Sequence, residues 1–188
     1  MKLLYSKQQI AHEVDRVAHE ILRDYAGRRP LIVTVLKGAK YFFVDLTRRI
    51  SEIQPEDNHE LKLQDDDTTV SSYKHGVKSG DLKLVQDVDS PIAGRDLIVT
   101  EDILDSSQTL TFLYDYYRMR GAKSVEIVLL IRKKMKRLKG GQEPKYVCFN
   151  YDGDAFLVGN GLDNKGFERN RPHIYEVDEG EINAAPGA

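Results

Sequence analysis

Apolar residues recur every three or four positions between residues 7 and 26, and this spacing predicts an amphipathic helix. The apolar positions are Ile10, Val14, Val17, Ile21, Leu22 and Tyr25. Ser6 and Gln9 stand at the spacing of a capping box, and Gly27 follows where a left-handed turn can end a helix. We therefore expect the first long element to be a helix over residues 7–26.

An apolar run without alternation follows, and it predicts a strand that is buried on both faces. This run, residues 31–36, reads LIVTVL, and further strands are predicted at 96–100 and 125–131. Helical spacing predicts one helix over about 108–120, ended by Gly121, and an earlier one through Phe42, Phe43, Leu46 and Ile50. This alternation predicts a parallel sheet with right-handed crossovers, in which ligands bind beyond the carboxyl ends of the strands.

The segment between these two halves has a different pattern. Residues 61–88 contain three consecutive aspartates and show weak alternation on both sides of Gly76. We interpret it as a hairpin over the site, with a flexible active-site loop at about 64–90. The small residues of the tail, about 183–188, are expected to fray. We interpret the whole chain, residues 1–188, as one domain.

Charge and composition narrow the choice of partners. The chain has 28 Lys and Arg against 30 Asp and Glu, so its net charge of -2 gives no global reason to expect a nucleic acid or a membrane partner. No apolar stretch approaches the roughly 20 residues that span a bilayer, and we expect a cytoplasmic protein. The single Cys148 lies in an apolar stretch, which predicts a buried thiol and excludes an internal disulfide.

The richest chemistry lies in residues 97–109, LIVTEDILDSSQT. Glu101 and Asp102 follow a predicted buried strand, and two acceptor-only carboxylates can hold the vicinal diol of a sugar. Asp105 is followed by hydroxyl residues at the start of a predicted helix, whose free N–H groups and dipole favour a phosphate; these residues are Ser106, Ser107 and Thr109. Taken alone, the same residues could cap the helix and form surface ion pairs.

This segment resembles the phosphoribosyl pyrophosphate motif of type I phosphoribosyltransferases. Glu-Asp followed by Asp three residues later resembles the hypoxanthine-guanine branch, and the resemblance runs from about Val35 to Arg169. It implies an α/β fold with a parallel sheet flanked by helices, a small hood and a flexible hairpin loop. It also implies a purine salvage reaction: phosphoribosyl pyrophosphate and a 6-oxopurine, hypoxanthine or guanine, give IMP or GMP and pyrophosphate.

The resemblance assigns roles around the sugar phosphate. It implies that Glu101 and Asp102 bind the ribose hydroxyls and a magnesium ion, and that Asp163 helps to hold a second one. It implies a 5′-phosphate site made by Ser106, Ser107, Gln108 and Thr109, and a pyrophosphate site made by Lys37, Gly38 and Arg169. Without the resemblance, Lys37 and Gly38 read as an ordinary strand-to-helix turn, and Asp163 and Arg169 as a surface ion pair.

The resemblance also assigns the purine site. Asp105 corresponds to the carboxylate that faces purine N7, where it could act as a general base or by electrostatic stabilisation. Phe156 would stack on the purine, and the backbone of Leu157 would contact its exocyclic edge. Lys133 would donate to purine O6, which discriminates against the 6-amino group of adenine. A register shift by one residue would transfer this role to Arg132 or Lys134.

Other readings remain open at this point. Ser72 and Tyr73 resemble the pair on the loop that closes over the site, although a hairpin with a packed tyrosine would look the same. A xanthine-preferring enzyme is a close variant. A regulatory RNA-binding protein on the same fold is the alternative from another class, because residues 132–139 are strongly basic. For the enzyme we expect a homodimer or a homotetramer.

Overall fold

The computed structural model describes residues 1–54, 61–72, 82–140 and 142–178. Its three helices are α1 (Lys7–Tyr25), α2 (Lys40–Ile53) and α3 (Gln108–Met119). Its nine strands are β1 (Lys2–Tyr5), β2 (Leu31–Leu36), β3 (Gln64–Ser72), β4 (Leu82–Gln86), β5 (Asp96–Leu104), β6 (Ser124–Lys133), β7 (Tyr146–Tyr151), β8 (Phe156–Val158) and β9 (Ile174–Val177). The predicted α/β class is confirmed.

The first helix follows its sequence signals closely. The Ser6 side chain accepts a hydrogen bond from the Gln9 N–H, and the Gln9 side chain accepts one from the Ser6 N–H, which completes the capping box. Gly27 then takes a positive φ of 69° just beyond the last turn. The predicted apolar face, apart from half-buried Leu22, is buried in the core.

A six-stranded sheet in the order β4-β3-β2-β5-β6-β7 forms the centre of the fold. All its neighbours pair in parallel except β3 and β4, which are antiparallel at one edge. Residues 64–72 and 82–86 of the predicted hairpin are therefore strands of this sheet. Residues 73–81, between these strands, lie outside the described residues, and so does the tail from residue 179.

The sheet buries both of its faces, as the apolar run of residues 31–36 predicts. On β2, Ile32 packs with α1 and α2, whereas Leu31, Val33 and Val35 pack with α3. Because successive side chains of a strand point to opposite faces, one apolar run supplies two separate cores. The carboxyl ends of β2, β5 and β6 consequently meet at one edge of a rigid sheet.

A second sheet, in the order β1-β9-β8, is antiparallel and forms the hood that the resemblance implies. It joins the first residues of the chain to residues 174–177. The sequence pattern did not predict β1 or β9, because each has only four residues. In the part of the chain that the structure describes, none of the helices has the length and apolar character needed to cross a membrane.

Candidate active site

Two carboxylates lie next to each other inside β5. The strand runs to Leu104, four residues beyond its predicted end at Thr100, so Glu101 and Asp102 belong to it and are 8% and 9% exposed. The Asp102 N–H donates to Glu101 Oε1 at 3.1 Å, and the Ile103 N–H donates to Asp102 Oδ1 at 2.7 Å. The reading of these residues as surface ion pairs is therefore wrong.

The burial of this pair determines its electrostatics. Burial, together with the negative charge of Asp102, raises the pKa of Glu101 well above its usual range. Burial also raises the pKa of Asp102, although local hydrogen bonds and the charge of Arg169 oppose the rise. A divalent cation or the hydroxyls of a sugar would supply the positive charge or donors that the two carboxylates need.

The donor set fits magnesium held partly by substrate. Among the described residues, no three His, Cys, Asp or Glu side chains converge on one point. Magnesium is commonly bound by one or two carboxylates and by substrate phosphates, and it keeps several waters. Glu101 and Asp102 satisfy that pattern at the end of the sheet where a diphosphate would lie.

The turn after β5 leads into the amino terminus of α3. Ser107 occupies the cap position with helical backbone angles and makes no side-chain capping hydrogen bond. The alternative that Asp105 or Ser106 serves as the cap is therefore wrong. Ser106 and Gln108 are exposed, and Ser107 and Thr109 are half-buried. The first-turn N–H groups and the nearby hydroxyls thus remain available for an anion.

Asp105 lies in this turn, with its carboxylate directed towards two lysines. Lys136 Nζ donates to Asp105 Oδ1 at 3.0 Å and also to the Asp105 carbonyl oxygen. Lys133 Nζ lies 3.8 Å from the same Oδ1. Partial burial tends to raise the pKa of Asp105, but the two lysines outweigh it and hold the pKa below its ordinary value. Asp105 is therefore ionised at neutral pH.

Lys133 is the last residue of β6, and its buried side chain lies beside Ala155, the residue before the hood strand β8. Its Nζ donates to the carbonyl oxygen of Ala155 at 3.3 Å. Phe156 is 39% exposed, whereas Leu157 is buried. An ammonium group and an ionised carboxylate thus lie together, and the partly exposed ring of Phe156 belongs to the residue that follows Ala155 in the chain.

The neighbouring cations, Arg132 and Lys134, have partners other than Asp105. Arg132 Nε donates to Asn150 Oδ1 at 2.8 Å, and Arg132 Nη1 pairs with Glu143 at 3.2 Å. Lys134 pairs with Asp154. Of the three candidates for the contact with purine O6, only Lys133 contacts Asp105 and the carbonyl oxygen of Ala155, the residue before β8.

The turn after β2 lies beside the acidic pair. The peptide bond between Leu36 and Lys37 is cis, and Lys37 is exposed. A Cβ atom on Gly38 would overlap the carboxylate of Asp102. Only glycine therefore allows the backbone of this turn to lie against Asp102.

The hood loop after β8 closes the site from the other side. Arg169 Nη2 pairs with Asp163 Oδ1 at 2.6 Å, and Arg169 Nη1 donates to the Gly161 carbonyl at 2.6 Å. The ion pair that the sequence left open therefore exists, but it is half-buried and belongs to the loop that contacts Gly38. Asn160, in the left-handed region at φ 47°, precedes this contact.

Sequence reasoning missed three contributors to the site. The packing of Gly161 on Gly38 has a signal in the Gly-x-Gly spacing of residues 159–161. Lys136 was counted as one charge of a basic run. The carbonyl of Ala155 has no signal in the sequence. Ser72 is the last residue of β3, and Tyr73 lies outside the described residues.

The basic run of residues 132–139 is largely neutralised by carboxylates. Apart from the lysines on Asp105, Lys134 pairs with Asp154, and Arg132 and Arg137 both pair with Glu143. A nucleic-acid surface needs cations that are free to contact phosphates. The arrangement therefore disfavours the RNA-binding alternative.

Comparison with known proteins agrees with this geometry. The family model described as a phosphoribosyl transferase domain matches residues 2–165. A hypoxanthine-guanine phosphoribosyltransferase of Streptococcus thermophilus is 39% identical over 174 residues, which cover 92% of this chain and 91% of that protein.

Solved structures show the same likeness. A hypoxanthine-guanine phosphoribosyltransferase of Bacillus anthracis, crystallised with HEPES in the active site, is 34% identical with a TM-score of 0.81, covering 95% of this chain and 99% of that one. The hypoxanthine phosphoribosyltransferase of Trypanosoma cruzi is 28% identical with a TM-score of 0.82, covering 98% of this chain and 96% of that one.

Proposed function

The chain belongs to the phosphoribosyl transferase family, and we propose that it transfers the 5-phosphoribosyl group of phosphoribosyl pyrophosphate to hypoxanthine or guanine. The products are IMP or GMP and pyrophosphate, so the enzyme serves purine salvage. One observation carries the proposal: Asp105 lies between the amino terminus of α3 and Lys133 of the base site. A single carboxylate can therefore face both substrates.

The sugar phosphate would be bound by groups that the sheet and α3 present together. Glu101 and Asp102 accept hydrogen bonds from the ribose hydroxyls, since both are acceptors when ionised. The N–H groups and side chains at the start of α3 bind the 5′-phosphate; these residues are Ser106, Ser107, Gln108 and Thr109. The turn of Lys37 and Gly38 faces the pyrophosphate, and Arg169 approaches it from the hood loop.

Transfer at C1′ needs a nucleophilic purine nitrogen and a leaving pyrophosphate. Asp105 takes the proton from purine N7 while N9 forms the bond to C1′. The bond between C1′ and the pyrophosphate oxygen breaks, and the electron pair leaves with the pyrophosphate. The ionised carboxylate also stabilises positive charge on the ribose ring.

Magnesium is the proposed cofactor. Glu101 and Asp102, with the ribose and pyrophosphate oxygens, would hold one ion, and Asp163 would help to hold a second. When bound, the metal would neutralise part of the negative charge of the diphosphate. Asp163 would have to exchange its present contacts with Arg169 and the Gly166 N–H for this role.

Selection of the base would rest on Lys133. An ammonium group donates to a 6-oxo oxygen and cannot accept from the 6-amino group of adenine, so adenine would set one donor against another. Hypoxanthine, guanine and xanthine all present the oxygen. An enzyme that prefers xanthine is therefore a close variant of this proposal. The relative kcat/KM values for the three bases distinguish the two.

Two further proposals concern the protein in the cell. We propose a homodimer or a homotetramer, supported by the exposure of Tyr41 and Val44 on α2. We also place the protein in the cytoplasm, because its multiply charged phosphorylated substrates do not cross a bilayer unaided. Light scattering across a concentration series tests the first proposal.

The decisive experiment is an absorbance assay of base consumption. Each of hypoxanthine, guanine, xanthine and adenine is supplied with phosphoribosyl pyrophosphate and magnesium. We expect nucleotide formation with 6-oxopurines, none with adenine, and loss of activity on chelation with EDTA that added magnesium restores. Salt-dependent RNA binding without nucleotide formation would support the RNA-binding alternative instead.

A further inference from the structure

Asp105 contacts two lysines, and recognition of the purine accounts for only one of them. Lys133 lies 3.8 Å from Asp105 Oδ1 and donates to the carbonyl oxygen of Ala155, and the proposed function assigns it the contact with the base. Lys136 donates hydrogen bonds both to this carboxylate and to the backbone carbonyl of Asp105. Lys136 therefore contacts the backbone of the turn as well as the negative charge of the Asp105 side chain.

The segment that carries Lys136 is held on both sides. The Lys136 N–H donates to the Lys133 carbonyl at 3.0 Å, which ties it to the end of β6. The Lys139 N–H donates to Thr111 Oγ1 on α3 at 2.9 Å, and the side chain of Leu138 is buried. Lys136 therefore extends from a supported segment and bridges the end of β6 to the turn between β5 and α3.

A two-point contact constrains more than an ordinary surface ion pair does. An exposed pair that joins only two side chains contributes little and leaves both free to move. Here one ammonium binds a carbonyl and a carboxylate of the same residue, which limits the rotation of that side chain relative to its backbone. The next residues, Ser106 and Ser107, lead into α3, so the same contact also fixes the approach to the phosphate site.

We propose that Lys136 is a positioning residue for phosphoribosyl transfer: it fixes the Asp105 turn so that the carboxylate faces the base while α3 faces the 5′-phosphate. This role rests on the function proposed above. It is distinct from the role of Lys133, which contacts the substrate.

The charges around Asp105 give this proposal a readout that a purely structural role would not move. The charged groups that act on Asp105 are Lys133, at the end of β6, and Lys136, in the segment that follows. Both favour the ionised carboxylate and hold its pKa low. Activity that needs this base falls as the pH drops through its pKa, so loss of Lys136 moves the acid limb of the pH profile to higher pH.

The test compares Lys136→Ala with Lys139→Ala. Both remove one lysine from the same segment, but the exposed Lys139 side chain makes no described contact with Asp105, and its backbone N–H stays in place. For Lys136→Ala we expect kcat/KM for hypoxanthine to fall about tenfold and its acid limb to rise by up to about one pH unit. Lys136→Arg should keep kcat/KM and the acid limb close to their wild-type values. Lys139→Ala should match the wild type in both quantities.

A measurement on the ligand-free protein separates this inference from the proposed function. The carboxyl carbon of Asp105, assigned by its loss in Asp105→Asn, is titrated by carbon NMR. The midpoint should be higher in Lys136→Ala than in Lys139→Ala. If both the NMR midpoint and kcat/KM of Lys136→Ala equal those of Lys139→Ala, Lys136 does not position Asp105; Lys136→Gln serves if the alanine variant folds poorly. A wild-type protein inactive with every base would instead refute the proposed function.

Discussion

The α-carbon of Gly161 lies so close to the carbonyl oxygen of Gly38 that a Cβ atom on Gly161 would overlap that oxygen. The hood loop and the turn after β2 are thus in direct backbone contact. Arg169, which donates to the Gly161 carbonyl, and Gly38, which lies against Asp102, are linked through this contact. The proposed pyrophosphate site therefore depends on two glycines far apart in the sequence.

Gly161→Ala should weaken binding of phosphoribosyl pyrophosphate. The new methyl group displaces the Gly38 turn, so we expect its KM to rise about tenfold or more. Gly166→Ala is the matched control, because Gly166 has a similar φ, 91° against 102°, but open space around its Cβ position. Both variants bear the cost of an alanine at positive φ, roughly 1–3 kcal/mol. Equal KM values in the two variants would contradict the role of this contact.

Asp105→Asn should lower turnover much more than affinity for phosphoribosyl pyrophosphate. The amide is nearly isosteric but cannot take the N7 proton, and loss of a general base costs about 10²-fold or more in kcat. Steady-state kinetics at saturating magnesium separates kcat from KM. Unchanged turnover would remove Asp105 from the mechanism.

Lys133→Ala should weaken purine binding and relax the exclusion of adenine. The lost donor to O6 raises KM for hypoxanthine, and the buried charge that rejects a 6-amino group disappears; a change of about tenfold or more in the hypoxanthine-to-adenine ratio of kcat/KM is expected. Lys134→Ala, next in the chain but exposed and paired with Asp154, is the control. An unchanged base preference would assign O6 recognition to another residue.

Glu101→Gln should stabilise the ligand-free protein while removing most of its activity. Burial and Asp102 raise the pKa of Glu101 above its ordinary value of 4.5, so ionisation of Glu101 costs the folded state stability as the pH rises above that value. The glutamine variant avoids this cost, and in magnesium-free buffer at pH 8 we expect its free energy of unfolding to be higher by about 1–3 kcal/mol.

Urea unfolding at pH 5 and pH 8 measures this difference. The gain should be larger at pH 8, because the wild-type carboxyl is ionised there to a greater extent. Asp152→Asn, at an exposed carboxylate, should show no such gain. A glutamine variant no more stable than the wild type at pH 8 would mean that the acidic pair carries no electrostatic cost.

Cys148 should resist thiol reagents in the folded protein. Its thiol is buried, and burial raises its pKa above the ordinary value, so the nucleophilic thiolate is scarce through the neutral range. Ellman's reagent at pH 7 should label the protein only after denaturation. Stoichiometric labelling of the native protein within minutes would contradict this burial.

Local signals in the sequence predicted most elements of the large sheet and all three helices. The capping box at Ser6, the apolar face of α1 and the run of β2 depend on neighbours within a few residues, so the sequence displays them directly. The hood was harder, because β1 and β9 are short and pair across most of the chain. Their pairing depends on long-range packing that periodicity does not report.

The candidate site divides in the same way. The sequence by itself determined which groups could act, because the order of a buried strand, two carboxylates, Asp105 and a helix start is written in one continuous segment. Only the tertiary structure shows that Lys133, rather than Arg132 or Lys134, contacts Asp105, that Lys136 binds Asp105, and that Gly161 rests on Gly38. Each of these contacts joins segments that are distant in the chain, and each depends on the direction in which the backbone presents a side chain. The identity of the side chain alone does not specify that direction.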